Sequence, residues 1–312
     1  QADQKYEDAS TVAANACAED TKGQACYICL EDGSEEGLVR GCACRGGAGF
    51  AHVSCLAEQA KILVAEAVEN NLDDKRWHRW HTCSLCEQNY HGVVRCALGW
   101  ACWKTYFGRP ESDWTRIFAI QQLGNGLLDG GHHEDALSVL QSHLATMRRI
   151  GAPELNSLTV QNNIARTYQL LGRHESTLNM YRGVHSKYLE LLGESDKFTL
   201  IAASNCASAL HNLNRFEEAK ALLRKTMPVA RRVLGDSNEI TLKMKRTYAM
   251  ALCLDDATLD DLREAVTTVE KTERTARRVL GGTHPLVAQM QVDLRDARAT
   301  LRAREETQPS PG

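Results

Sequence analysis

The stretch CACRGGAGFAHVSC, Cys42 to Cys55, puts three thiols and one imidazole into fourteen residues, with glycine filling much of the space between them. It is too small and too polar to pack an apolar core. Working outward, the pattern is Cys26-x2-Cys29, twelve residues, Cys42-x-Cys44, seven residues, His52-x2-Cys55, twenty-seven residues, Cys83-x2-Cys86. A C-x2-C turn aims two sulfurs at one ion, and four protein ligands close a structural site. The count of eight ligands, Cys26, Cys29, Cys42, Cys44, His52, Cys55, Cys83 and Cys86, therefore suits two closed Zn2+ sites. His81 is a competing donor, since His-x-Cys also ligates. The commoner C-x2-C geometry favours Cys83.

The chain has 12 cysteines. A disulfide framework belongs to small secreted domains in an oxidising compartment. Here Cys17, Cys96, Cys102, Cys206 and Cys253 are scattered outside the cluster, the last two in a helical-looking region. Such residues read as small buried hydrophobes in a reducing cell. The expected location is intracellular, cytoplasmic or nuclear. Between Gly33 and Gly49 large aliphatic side chains are few, so a staple is needed. Bound zinc supplies on the order of 10 kcal/mol of folding free energy in such modules. Gly41, Gly46, Gly47 and Gly49 are then expected at positive φ, where backbone wraps an ion.

At 312 residues the length fits about two domains, and 43% hydrophobic with 25% charged residues is ordinary for a soluble protein. A net charge of -3 gives no basic field for nucleic acid or anionic lipid. No run approaches the roughly 20 apolar residues of a membrane span. The polar opening, residues 1–22, reads as a flexible lead-in, and 305–312 as a flexible tail. The first residue is Gln1, so we read the chain as a fragment or a processed form.

The ligand order, with C-x-C as second pair and seven residues before His52, resembles the RING-CH (RING-variant) zinc finger. CYICLED, CACRGGAGFAHVSCL and CSLCEQNYHG carry the likeness over residues 23–92. A PHD finger shares the order but has a wider second pair and an aromatic residue where His81 stands. The resemblance implies a cross-brace: Cys26, Cys29, His52 and Cys55 on the first zinc, Cys42, Cys44, Cys83 and Cys86 on the second. It also implies a ubiquitin ligase, which supplies no nucleophile and works by positioning a charged ubiquitin-conjugating enzyme. Ile28, with Leu85 beside it, would form the docking surface. The chain departs from the family where Trp is usual after the sixth ligand. CLAEQAKILVAEAVENN instead reads as a helix with Leu56, Ala60, Leu63, Val64 and Ala67 on one face. Trp77 and Trp80 come later, and Glu87 and Gln88 stand where many active ligases carry a basic residue.

Beyond the finger the chain repeats. Gly151, Gly193, Gly235 and Gly281 end similar segments at steps of 42, 42 and 46 residues. Ala165, Ala207 and Ala249 form a second column. HHEDAL, RHESTL and RFEEAK form a third. A two-helix unit explains this period: small residues let first helices approach, and glycine ends the second helix. NNIARTYQLLGRHESTL and VLGGTHPLVA resemble kinesin-light-chain-like tetratricopeptide (TPR) repeats, over 111–304. The fourth unit has a four-residue insertion, and the last helix looks like a cap. The resemblance implies a groove for a peptide or protein ligand, with Gln121, Asn163 and Asn205 in the column that bonds the ligand backbone. Arg166, Lys243 and Arg246 read as a solvated charged face.

Residues 93–110 are too apolar for a free linker. They are expected to form a helix that packs both modules into one body, stopped by Pro110, with Ser112 or Asp113 capping the next. The expected fold is mainly α: a two-zinc RING-like finger plus an α-solenoid. The expected function is a ubiquitin ligase whose repeats select a partner. The alternative is a non-enzymatic interaction scaffold. A metallo-hydrolase is the weaker class, because eight closing ligands leave no open coordination position.

Overall fold

The computed structural model describes residues 1–72, 74–253 and 257–307. They divide into two compact units, Gln1–Thr167 and Tyr168–Gly312.

Unit 1 opens with helix α1 (Ala2–Cys17), where the sequence suggests a flexible lead-in. Tyr6, Ala9, Ala13, Ala14 and Cys17 pack on the finger core, and Ala13 is fully buried. Asp3 Oδ1 meets Lys104 Nζ at 2.9 Å, and that ammonium lies 4.7 Å from the centre of the Tyr6 ring. Strands β1 (Leu38–Val39) and β2 (Ala51–His52) pair antiparallel, Leu38 opposite His52. Helix α2 (Val53–Glu69) follows directly and buries Leu56, Ala60, Val64 and Ala67, with Leu63 half-buried. The finger is thus not coreless. It borrows apolar surface from α1 and from α3 (Gly92–Tyr106), whose Val94, Ala97 and Leu98 close over Phe50 and Tyr90.

Trp77 and Trp80 lie on a 3-10 helix, Asp74–Trp80. Both are buried against α2, α3 and α4 (Trp114–Asp129). The ring centre of Trp77 is 5.2 Å from that of Phe118, and Trp80 is 5.9 Å from Tyr106. Helices α3 and α4 meet backbone to backbone. A Cβ on Gly99 would stand 2.9 Å from the Gln122 carbonyl oxygen, and one on Gly126 2.8 Å from that of Arg95. Arg95 bridges this contact, donating to Gln122 Oε1 at 2.6 Å and to the Trp80 carbonyl at 3.3 Å. Burial lowers its pKa to about 10, which leaves it charged at neutral pH. The finger and α4 therefore share one packed interior. Helix α3 stops at Tyr106, short of the expected 110. Gly108 and the restriction of Arg109 by Pro110 disfavour another turn. Asp113 caps α4, its Oδ1 accepting from the Thr115 amide at 2.8 Å.

Helices α5 (His133–Arg149) and α6 (Glu154–Leu170) follow, and the dividing line between the units falls within α6. Unit 2 continues with α7 (His174–Leu192), α8 (Lys197–Asn212), α9 (Phe216–Leu234), α10 (Glu239–Met250), α11 (Leu259–Leu280) and α12 (Pro285–Thr307). Asp196 caps α8 and Asn238 caps α10 as Asp113 caps α4. The column residues Ala165, Ala207 and Ala249 are all 0% exposed, which fits their role as close-packing positions. Gly193, Gly235 and Gly281 cap the second helices at φ of 80°, 94° and 90°, values costly for any other residue. Helix α12 runs through Thr307, into the segment expected to be a flexible tail. Residues 308–312, and Leu254, Asp255 and Asp256 of the fourth-unit insertion, lie outside the described residues.

All twelve cysteines are free thiols. Outside the cluster, Cys96, Cys102 and Cys206 are buried, and Cys17 and Cys253 half-buried. Burial pushes Cys96, Cys206 and Cys253 up to about 11, as for inert core residues.

Candidate metal centre and docking surfaces

The two C-x2-C segments fold identically. In the first, the Ile28 amide donates to Cys26 Sγ at 3.4 Å, the Leu30 amide to the Cys26 carbonyl at 2.9 Å, and the Cys26 amide to the Glu31 carbonyl at 2.8 Å. In the second, Leu85 donates to Cys83 Sγ at 3.4 Å, Glu87 to the Cys83 carbonyl at 3.1 Å, and Cys83 to the Gln88 carbonyl at 2.9 Å. Each knuckle exits through a left-handed residue, Leu30 at φ 67° and Glu87 at φ 57°.

These knuckles, the end of β2, the first turn of α2 and the Cys42 loop bring the eight side chains into two groups. Cys26, Cys29, His52 and Cys55 form one, and Cys42, Cys44, Cys83 and Cys86 the other, with ligand atoms in each within 4.8 Å of one another. The first and third sequence pairs share one group, the second and fourth the other. His81 joins neither. Its ring lies 5.3 Å from that of His78, with its Nδ1 buried and unpartnered.

The spacing fits a tetrahedral ion. Donors about 2.0–2.3 Å from one ion sit about 3.5–3.8 Å apart. Cys44 Sγ is 3.7 Å from Cys83 Sγ, and His52 Nδ1 is 3.4 Å from Cys29 Sγ and 3.6 Å from Cys55 Sγ. The other imidazole nitrogen, Nε2, lies 2.9 Å from the Asp32 carbonyl oxygen. A carbonyl only accepts, so Nε2 carries the proton and Nδ1 presents its lone pair to the sulfurs. Such an outer bond fixes tautomer and ring orientation in metal sites. No sequence signal marks Asp32, because its backbone does the work.

The thiols cannot all ionise side by side. A hydrogen bond from Cys42 holds Cys83 well below the ordinary thiol range, and the same contact pushes Cys42 well above it. Burial drives Cys44 and Cys55 up to about 12. A dication relieves this conflict by stabilising every thiolate at once, which ties metal affinity to proton release. Of the four glycines expected at positive φ, Gly46 and Gly49 have it, at 59° and 85°. Gly41 serves close packing instead: a Cβ there would meet Val94 Cβ at 2.6 Å.

Of the docking residues, Leu85 is 51% exposed and Ile28 half-buried. The Tyr27 hydroxyl and Ser84 Oγ, 2.9 Å apart, tie one knuckle to the other. Of the residues expected to bond a ligand backbone, Gln121 and Asn205 are half-buried, and Asn163 Nδ2 donates to Asn125 Oδ1 at 2.8 Å. The residues read as a solvated basic face are each paired: Arg166 with Asp129 at 2.9 Å, Lys243 with Glu239 at 2.6 Å, and Arg246 with the buried Asp293. Asn125, Asp129 and Asp293 escaped the sequence reading, because their partners lie a whole repeat away.

The chain thus combines a cysteine–histidine finger with stacked helix pairs, and comparison with known proteins defines the class of each part. Residues 26–88 match the RING-variant domain, and residues 157–196 and 199–239 match the tetratricopeptide repeat. Among solved structures, a Podosopora anserina protein of kinesin-light-chain type with nearly identical TPR-like repeats is 19% identical. The match covers 65% of this chain and 100% of that one, at a TM-score of 0.45. BtubC (BKLC) from P. vanneervenii is 13% identical, over 83% of this chain and 93% of that one, at 0.45. The apo form of RapI is 10% identical, over 80% and 84%, at 0.47. No curated protein matches the chain.

Proposed function

We propose that the protein is a RING-type ubiquitin ligase, with two structural Zn2+ in the crosswise groups and TPR-like repeats that select the protein to be modified. The observation that carries this reading is the pair of matching knuckles, which display Ile28 and Leu85 and are linked through Tyr27 and Ser84. Zinc, when bound, supplies rigidity and no chemistry, since each group closes with four protein donors. The chain's own task is to seat a charged ubiquitin-conjugating enzyme and hold it in a reactive pose.

Gln121, Asn163 and Asn205 are proposed to meet the partner's backbone, Asn163 by exchanging Asn125 for the ligand. Free thiols throughout favour a reducing compartment, cytoplasmic or nuclear. No helix of the described residues is long and apolar enough to cross a membrane.

Autoubiquitination with a panel of conjugating enzymes tests the reading. The wild-type protein is expected to build ubiquitin chains with at least one. Ile28→Ala is expected to cut the rate about tenfold or more, as for a central anchor, while zinc content stays unchanged. Silence with every enzyme, from folded and zinc-loaded protein, would leave the scaffold reading, which Glu87 in place of a basic residue favours.

A further inference from the structure

A cavity of about 410 Å³ lies within unit 1, between α3, α4 and α5. Trp100 and Trp103 of α3, Ile117 and Ile120 of α4 and Val139 of α5 give it an apolar lining. Neither Gln121 nor Asn163 lines it, so it is separate from the column expected to bond a peptide backbone. His143 of α5 also lines the cavity and is 1% exposed. Neither of its ring nitrogens has a hydrogen-bond partner among the described residues. Burial pulls its pKa down to about 4, so at neutral pH the imidazole is uncharged and offers one donor and one acceptor. Buried polar side chains are as a rule hydrogen-bonded, and each exception calls for a reason. An orphaned imidazole in an apolar cavity of ligand size fits a molecule that brings the missing bond. Glu111 lines the cavity too, but its carboxylate is held by Arg149 at 2.5 Å. Arg116 is steadied by the Arg109 carbonyl, to which its Nη1 donates at 2.7 Å, and its guanidinium lies 5.9 Å from the centre of the Trp103 ring. A guanidinium carries five N–H donors in a planar fork that suits a carboxylate.

We propose that this cavity binds a small aromatic carboxylic acid that also carries a hydroxyl group. The aromatic ring lies among Trp100, Trp103 and the aliphatic side chains. The carboxylate meets Arg116, and the hydroxyl supplies a hydrogen bond to His143. The site stands independently of the ligase reading.

Calorimetric titration of the full chain with a hydroxynaphthoate, its hydroxyl and carboxylate at opposite ends of the rings, tests this. Micromolar binding is expected, with a rise in thermal midpoint. Naphthoate, which lacks the hydroxyl, and hydroxynaphthamide, which lacks the charge, are each expected to bind about tenfold more weakly. His143→Phe replaces the orphaned imidazole by an apolar ring. It is expected to melt no earlier than the wild type and to bind hydroxynaphthoate and naphthoate alike. His143→Gln keeps a donor and an acceptor and is expected to keep the preference for the hydroxyl. Arg116→Gln is expected to bind the acid and the amide alike. If the wild type binds no probe at about 1 mM, the inference falls. It falls as well if His143→Phe and His143→Gln both melt early, because His143 then serves the fold. A wild type indifferent to the hydroxyl, or a His143→Phe variant that still prefers it, also overturns the inference. Equal binding of acid and amide by the wild type refutes the acid as ligand.

Discussion

A Cys42→Ser variant is expected to expose the amides of residues 23–90 to hydrogen exchange at close to unfolded-chain rates. Those of the helix pairs from α8 onward are expected to keep wild-type protection. Cys42 is buried within the second group, where a serine oxygen replaces a soft thiolate and leaves three strong ligands. Structural zinc is worth on the order of 10 kcal/mol, comparable with the entire stability of an ordinary domain at about 5–15 kcal/mol. The crosswise grouping spreads the damage. The second group joins residues 42–44 to 83–86, the first joins 26–29 to 52–55, and the Tyr27–Ser84 contact links the two knuckles. Unit 2 is spared because its own interior is apolar: Leu200, Leu223, Leu242 and Val269 are each at most 1% exposed. Full protection of 23–90 in the variant would mean that the core shared with α1 and α3 suffices without the ion.

Trp80→Ala is expected to damage unit 1 by another route. Trp80 is 0% exposed and heads the largest fully buried side chains. Its loss opens a cavity between the 3-10 helix and α3, at a cost of about 3–5 kcal/mol. The thermal midpoint of unit 1 is expected to fall by about 10 °C. Two zinc ions per chain are expected to remain, since Trp80 contributes no ligand and lies two residues before Thr82, where pairing to Asn89 begins. Calorimetry paired with metal analysis separates the two variants: Cys42→Ser loses metal, and Trp80→Ala loses heat stability with metal retained. A Trp80→Ala midpoint within a degree or two of wild type would show that the aromatic cluster does not join finger to repeats.

The two groups of donor side chains were legible because metal chemistry constrains spacing locally, and a C-x2-C turn brings two sulfurs together wherever it occurs. The helix pairs were legible because a repeat states its period several times, through Ala165, Ala207 and Ala249 and through the closing glycines. What escaped depends on partners distant in sequence. The packing face of α1 is built largely of alanines, a weak apolar signal whose partners, Gly37 and the finger core, lie far along the chain. Trp77 and Trp80 read as a departure from the family pattern, yet they join finger to repeats through rings some 26 to 41 residues away. Asn163 was placed in a ligand-binding column without its neighbour, because Asn125 lies 38 residues upstream. Gly41 and Gly46 look alike in sequence, and only the approach of Val94 distinguishes them.

Elemental analysis of the purified, reduced chain tests most directly whether two ions organise the finger. Two zinc per chain is the expected result, falling in both Cys29→Ser and Cys86→Ser, which strike different groups. A wild-type count of one or none, or disulfides among Cys26, Cys29, Cys42, Cys44, Cys55, Cys83 and Cys86, would contradict the account.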